Sequence, residues 1–286
     1  MIARLAPDVE VRALVRSERA ADLIREALQD NNYASNVSIR VHDYTDIEKL
    51  VGSLNGCRSV IHLVGIIKES ATSTYVQAQE DTTRALVSAA NGVGVEYIVY
   101  VSIAGADTGS NNACLASKGR AEAILADGGI TSLILRVPMV LGQGDYAVAA
   151  LKRRAQSGMV FLLRGASLEQ PIYALDVEEA LLRAVSCELN ETTILELAGP
   201  ESLSRKNLTL RAASVIGKTP RIISLPYFLG TTVAGILEKL SDSPPVTRAM
   251  LGVLDHDDNV DPVPACEWLG IELTPLDEIL TALITR

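Results

Sequence analysis

Apolar runs of strand length alternate with helical patterns through the first half of the chain. "VEVRALV" (9–15), "VSIRV" (37–41), "SVIHLVG" (59–65), "YIVYVS" (97–102) and "SLILRV" (132–137) are rich in β-branched residues and nearly continuous in their hydrophobicity. Between the first two, Leu23, Ile24, Ala27 and Leu28 fall at helical spacing. Ile47, Leu50, Val51 and Leu54 do the same within 46–54. Further helices are predicted over roughly 73–91 and after Asn111. Strands that are apolar throughout and separated by helices predict an α/β fold, a Rossmann-like doubly wound parallel sheet covered on both faces.

The rhythm loosens after residue 145. Helices are predicted near 146–157, 176–187 and 204–216, and strands at 194–199 and 221–224. The expected organisation is a sheet domain over 1–145 and a smaller, mostly helical part over 146–286 packed on it. "LPYFLGTTVAGILEKL" (225–240) is a mostly apolar helix without a basic polar face, so packing against the C-terminal part is expected rather than docking on a membrane. Asp176 in "QPIYALDV" is expected as a helix N-cap.

Composition narrows the function classes. A net charge of −9 argues against a nucleic-acid partner, which calls for clustered Lys and Arg. Cys57, Cys114, Cys187 and Cys266 are scattered and form no C-x-x-C pair, and the only histidines are His42, His62 and His256. Neither a disulfide framework nor a metal centre is expected. No uninterrupted apolar stretch of transmembrane length occurs, and the first residues lack the pattern of a signal peptide, so a cytoplasmic location is expected.

Ligands of such sheets bind beyond the carboxyl ends of the strands. That rule points to Arg16 and Ser17, Asp43 and Tyr44, Leu63–Val64–Gly65, Ser102, and Val137–Pro138. His62 reads as a core histidine of its strand.

The order of "VEVRALVRS", "HDYTDIEKLVGSLNGCRSVIHLVG", "VEYIVYVSIAGA", "ASKGRAEAIL" and "LILRVPMVLGQGD" resembles the atypical and extended short-chain dehydrogenases/reductases, which include NAD-dependent epimerase/dehydratase-like proteins. "LELAGPESLSRKNL", "SPPVTRAMLGVLDHDDNV" and "EWLGIELTPLDEIL" resemble the branch related to the nucleotide-binding accessory subunit of respiratory complex I.

The resemblance implies a bound NAD(P)(H). Arg16 falls where an acid would accept the ribose 2′-hydroxyl of NAD and an Arg would pair with the 2′-phosphate of NADP, so NADP(H) is favoured over NAD(H). It implies that Asp43 and Tyr44 flank the adenine and that Leu63, Val64 and Gly65 line its ribose. Such a fold opens with a strand and a Gly-rich turn. "MIARLA" instead resembles the last turns of the helix that follows them. Roughly 20 residues are therefore expected to be missing through a start-site error or fragmentation, with weak dinucleotide binding as the consequence.

Catalytic members of this family carry Tyr-x-x-x-Lys on a helix, preceded by a Ser after the neighbouring strand. Ser102 and Lys118 match the Ser and Lys, and the resemblance implies that Lys118 holds the nicotinamide ribose, but Cys114 stands in the Tyr position. Cys114 is expected as a small apolar filler, with a reactive thiol beside Lys118 as the alternative. Tyr100 and Tyr75 are the phenols a shifted alignment offers, and Tyr100 sits inside a buried strand.

The reading from sequence is therefore an NAD(P)(H)-binding protein with a binding or accessory role in respiratory or quinone metabolism. It would partner a respiratory or quinone-linked complex, peripheral to the inner membrane. The alternatives are an active NADP-dependent reductase or sugar-nucleotide epimerase/dehydratase, and an NADP(H)-sensing regulator.

Overall fold

A computed structural model describes residues 1–285 except 30–31, 188, 241–243, 245 and 254–256. His256 and parts of the 243–260 motif thus lie outside the described residues. Helix α1 (Ile2–Leu5) leads to strand β1 (Val11–Val15), α2 (Glu18–Ala27), β2 (Val37–Val41), α3 (Ile47–Leu54) and β3 (Ser59–His62). A π-helical turn at Val76–Asp81 runs into α4 (Thr82–Val93), followed by β4 (Tyr97–Ile103), α5 (Ala113–Ala126) and β5 (Thr131–Val137). The chain continues through β6 (Val140–Leu141), α6 (Tyr146–Gln156), β7 (Met159–Leu163), β8 (Leu168–Glu169) and β9 (Ile172–Tyr173). Then come α7 (Ala174–Ala184), β10 (Thr193–Glu196), β11 (Leu203–Ser204), α8 (Arg205–Val215) and β12 (Arg221–Leu225). Helices α9 (Tyr227–Leu240), α10 (Arg248–Val253), α11 (Val263–Leu269) and α12 (Leu276–Ile284) complete it.

The α/β class and the parallel pairing agree with the sequence reading. Strands β3, β4, β5 and β10 form one parallel sheet in the order β10-β5-β4-β3, and β1 pairs in parallel with β2. The sheet is not continuous, however. No described strand joins β1 to β3, and a cavity of about 1560 Å³ lies there, lined by Val11–Leu14 on one side and Ser59–His62 on the other.

Alternation along the central strands explains the two layers of helices. Tyr97 and Val99 of β4, with Leu133 and Leu135 of β5, pack against α7 and α11 on one face. Ile98, Tyr100 and Ile134 pack against α3, α4 and α5 on the other. Helix α5 is buried nearly all round, from Cys114 through Gly119 and again at Ala121, Glu122 and Leu125. Asn112 caps it, its side chain accepting from the amides of Cys114 and Leu115.

Four details depart from the sequence reading. The segment after 145 does more than pack on the sheet: β10 extends the central sheet beside β5, and α7 and α11 cover one of its faces. Helices α6, α8 and α12 build a core of their own. Strand β7 was expected as loop, yet it pairs with β12 in parallel over Met159–Leu163. Asp176 is not a cap; it accepts from the amide and hydroxyl of Thr274 and so ties α7 to the C-terminal segment.

The fourth is α9. It buries only Ala234 and Gly235. Leu229, Val233, Ile236 and Leu240, at i, i+4, i+7 and i+11, are all exposed, Leu240 at 78%. Helix α9 rests mainly on α10, so its apolar stripe remains uncovered.

A glycine fixes how closely the loop after β4 approaches α5. A Cβ at Gly119 would stand 2.5 Å from the backbone of Asp107 and Thr108. Gly119→Ala is therefore expected to destabilise the chain by about 1–3 kcal/mol through overpacking, although Ala gains about 1 kcal/mol over Gly in an open helix. Denaturant unfolding of the two proteins measures the sign directly.

Candidate functional site

Parallel register sets up the centre of the site. His62 of β3 is the direct partner of Tyr100 of β4, so the two rings share a face. They stack with centroids 5.3 Å apart. Helix α5 crosses above this face. Lys118 lays its ammonium over the Tyr100 ring, 4.4 Å from the centroid. Its Nζ donates to Tyr100 Oη at 2.9 Å and to the Val101 carbonyl at 3.0 Å. Below, the His62 ring nitrogen Nε2 and the Thr83 hydroxyl are 3.1 Å apart.

Burial governs the charges here. It draws the Lys118 ammonium down to about 8, with the thiol of Cys114 and the carboxylate of Glu122 opposing that shift. Burial, helped by the Lys118 charge, lowers His62 to about 3, so the ring is neutral. Burial also pushes the Tyr100 and Tyr75 phenols and the Cys114 thiol above their ordinary ranges. The tyrosines and the cysteine are therefore held protonated at neutral pH, while Lys118 can exchange its proton there.

Neighbouring side chains are already committed. Ser102 donates to Glu122, one turn beyond Lys118 on α5, and Glu122 is also paired with Arg136 at 2.6 Å. Ser117 and Arg120 both bond Glu80 of the π-helical turn. Cys114 is 2% exposed, with its sulfur 3.7 Å from the Ile66 carbonyl and 3.8 Å from the Gln79 amide nitrogen. The Tyr75 hydroxyl beside it donates to the Ile67 carbonyl.

The large cavity opens between this cluster and the end of β1. It is lined by Arg16, Asp43, Tyr44, Leu63, Val64 and Gly65. Arg16 is exposed and forms no salt bridge among the described residues. Asp43 Oδ1 accepts both the amide and the hydroxyl of Thr45, bonds that hold its carboxylate below the usual range. Gly65 joins the cavity to the cluster: a Cβ there would stand 3.0 Å from Lys118 Nζ. Gly65, with the Lys118 ammonium beside it, and Arg16 and Tyr44 along the same cavity suit an extended anionic ligand with flat rings.

Residues 2–160 match the family described as NAD(P)H-binding. The chain belongs to this NAD(P)H-binding family. Its relatives include a ceramide reductase of Caulobacter vibrioides (strain NA1000 / CB15N), 27% identical over 203 residues, or 69% of this chain and 62% of that protein. Quinone oxidoreductase 2 of Escherichia coli (strain K12) is 24% identical over 219 residues, 75% of this chain and 68% of that protein. The match thus spans less than two thirds of the ceramide reductase. Among solved structures, the Citrobacter sp. triphenylmethane reductase complexed with NADP(H) superposes with a TM-score of 0.75 at 18% identity, covering 99% of this chain and 94% of that one. At that identity the likeness is one of fold. A nucleoside-diphosphate-sugar epimerase from Staphylococcus aureus shares the same fold, with a TM-score of 0.73 at 16% identity over 98% of this chain and 93% of that one. The chain shares their Rossmann-like α/β fold. Among the described residues no helix is long and apolar enough to cross a membrane.

The residues singled out from sequence thus fall into two groups. Six of them, Arg16, Asp43, Tyr44, Leu63, Val64 and Gly65, line one cavity, whereas Ser102, Cys114 and Lys118 lie outside its lining. Ser17 instead caps α2, accepting from the Ala20 amide. Val137 is buried at the end of β5, where its carbonyl accepts from the Ala104 amide, and Pro138 follows it outside the cavity lining. Sequence reasoning missed Glu122 and the pairing of Tyr100 with Lys118. The signal available was that Tyr100, Ser102, Lys118 and Glu122 stand two apart on a strand and four apart on the next helix.

His62 yields a pH prediction. Its folded pKa lies below its ordinary 6.5, so the unfolded chain binds the extra proton as pH falls. Stability is expected to drop below about pH 6.5, by ~1.4 kcal/mol per pH unit from this group. His62→Gln is expected to flatten the decline between pH 6.5 and 5, as read by denaturant midpoints across that range.

Proposed function

We propose that the chain is an NADPH-dependent reductase of an uncharged carbonyl or quinone substrate. The observation that carries this reading is the cavity that gathers Arg16, Asp43, Tyr44 and Gly65, with the buried Lys118 ammonium beside Gly65. Kinship with a ceramide reductase and a quinone oxidoreductase supports reduction as the reaction class.

When bound, the reduced dinucleotide supplies hydride. The chain's own residues bind, orient and protonate. Arg16 is exposed at the end of β1, where it forms no salt bridge among the described residues and suits the 2′-phosphate that distinguishes NADP(H). Tyr44 would cover the adenine, and Asp43 Oδ2, with no described partner, would accept from its amino group. Gly65 leaves room for the Lys118 ammonium beside the cavity. Cys114 is a buried filler in this scheme. Ser102, bonded to Glu122, fixes that carboxylate instead of meeting the substrate. The accessory reading differs in one observable, binding without turnover.

Binding titrations and stopped-flow oxidation of NADPH with a water-soluble quinone test these statements together. NADPH is expected to bind at least tenfold more tightly than NADH, and Arg16→Glu is expected to remove that preference by weakening NADPH. Tight NADPH binding with no quinone- or carbonyl-dependent oxidation establishes the accessory reading in place of the reductase.

A further inference from the structure

The large cavity has two unlike halves. At its mouth stand Arg16, Asp43 and Gly65. Its deeper half lies between two strand edges, Val11–Leu14 of β1 and Ser59–His62 of β3. Among the described residues β1 pairs only with β2 and β3 only with β4, so each turns its other edge to the cavity. Backbone N–H and C=O groups inside a protein call for partners, and two facing edges offer a ladder on either side of one more strand.

The walls are those of a sheet interior. On one face Leu14 and Val60 join the core of Leu50, Leu54 and Leu86. On the other, Ile61, Met1 and Val185 join the core beneath α7. The arginines at the amino ends of the two strands are turned elsewhere: Arg12 donates to the Ser53 and Asn55 carbonyls, and Arg58 to Glu96. Such apolar depth does not suit the phosphates of a dinucleotide, whose desolvation without paired charges is costly. It suits a strand covered on both faces.

We infer that the deeper half is a peptide-strand acceptor, which takes one extended apolar segment of a second polypeptide, laid parallel between β1 and β3. Both strands point their carboxyl ends at the mouth, where Arg16 and Gly65 follow them, and this sets the direction. β1 has five residues and β3 four, which sets the paired length. Burial on both faces calls for apolar side chains at every paired position. A proline there would remove a ladder donor, and glycine at the carboxyl end keeps the mouth open. The described strands of the chain are all paired within their own sheets. The residues ahead of β1 are held on the wall as α1, through the Met1 ammonium on Glu178 at 2.7 Å and Arg4 on Glu179.

A seated segment joins the β1–β2 pair to the four-stranded sheet and so fixes Arg16 relative to Gly65. Peptide and dinucleotide then tighten each other by the same factor. The acceptor itself goes beyond the reductase reading; this coupling alone rests on it.

The probe is a synthetic peptide, acetyl-VIVIVGG with a lysine tail for solubility, added to the full chain. It is expected to bind saturably and to raise Tm with its concentration. Hydrogen exchange of the amides of β1 and β3 is expected to slow at least tenfold, with β10, at the opposite edge of the sheet, unchanged. Proline in place of the central valine is expected to weaken binding at least tenfold. With saturating peptide, NADPH is expected to bind about tenfold more tightly.

No saturable binding overturns the inference. So does binding that slows exchange at β10 or β2 but not at β1 and β3, or a proline peptide that binds equally well. If exchange slows only when the same segment is fused ahead of Met1 through a flexible linker, supply by a second polypeptide is overturned in favour of the same chain. Protection at β1 and β3 with NADPH affinity unchanged overturns the coupling. If NADPH binds neither with nor without peptide, the reductase reading fails, and the exchange data alone decide the acceptor.

Discussion

The ammonium of Lys118 is out of water, and much of the surrounding structure answers that constraint. A buried cation must find acceptors or lose its proton. Here both responses are present: two hydrogen bonds to one strand and a pKa lowered to about 8. The acceptors come from β4 because the parallel register puts Tyr100 under α5, with His62 beside it and Thr83 of α4 beneath. Gly65 leaves room on the fourth side. A side chain there would separate the amine from the cavity that gathers Arg16, Asp43 and Tyr44.

The same geometry repeats one step along. Ser102 lies two residues beyond Tyr100 on the strand, and Glu122 lies one turn beyond Lys118 on the helix. The two pairs make parallel rungs between β4 and α5, one carrying a cation and a phenol, the other a carboxylate and a hydroxyl. Arg136 of β5 closes the second rung against Glu122. Removing one partner of such a buried pair leaves the other charge uncompensated, at a cost of about 3–5 kcal/mol. The rungs therefore fix the height and rotation of α5, and with it the place of Lys118. Ser102 acts in this frame, a role its position after a strand did not reveal.

Hydrophobic periodicity carried most of the fold. Strands 37–41 and 132–137 and the helices near 19–28 and 46–54 came within two residues of their observed ends, because each buries an apolar run or stripe. Where the pattern misled, the cause was local. The π-helical turn at Val76–Asp81 is invisible to a 3.6-residue period; Thr82 and Thr83 bond back to the carbonyls of Ala78 and Gln79 within it. In "MVFLL" alternate residues face solvent, Phe161 at 60% exposure, which leaves too short a pattern to separate a strand from a loop. In α9 an apolar stripe was assigned to a core, and stripe spacing says nothing of what covers it. The cavity residues were legible because ligands meet strand ends; the Tyr100–Lys118 pair was not, since its partners are 18 residues apart and meet only through strand and helix packing.

Cysteine at the tyrosine position is thus part of a larger substitution. The Tyr75 phenol, carried on the residue that opens the π-helical turn, already lies beside Cys114 and reaches the Ile67 carbonyl. A phenol at 114 would compete with it for space packed by Tyr75, Gln79 and Ile66, whereas a thiol fits between them at van der Waals distance. The helix therefore surrenders its own phenol, while one tyrosine from the π-helical turn fills the volume and another, from β4, holds the lysine. Proton affinity follows the second of these. A phenol lowered by a neighbouring ammonium is the usual acid of a Tyr–Lys pair, but Tyr100 is raised by burial and Lys118 is lowered by it. With the order of the two pKa values set by burial in this way, the amine becomes the weaker holder of the proton.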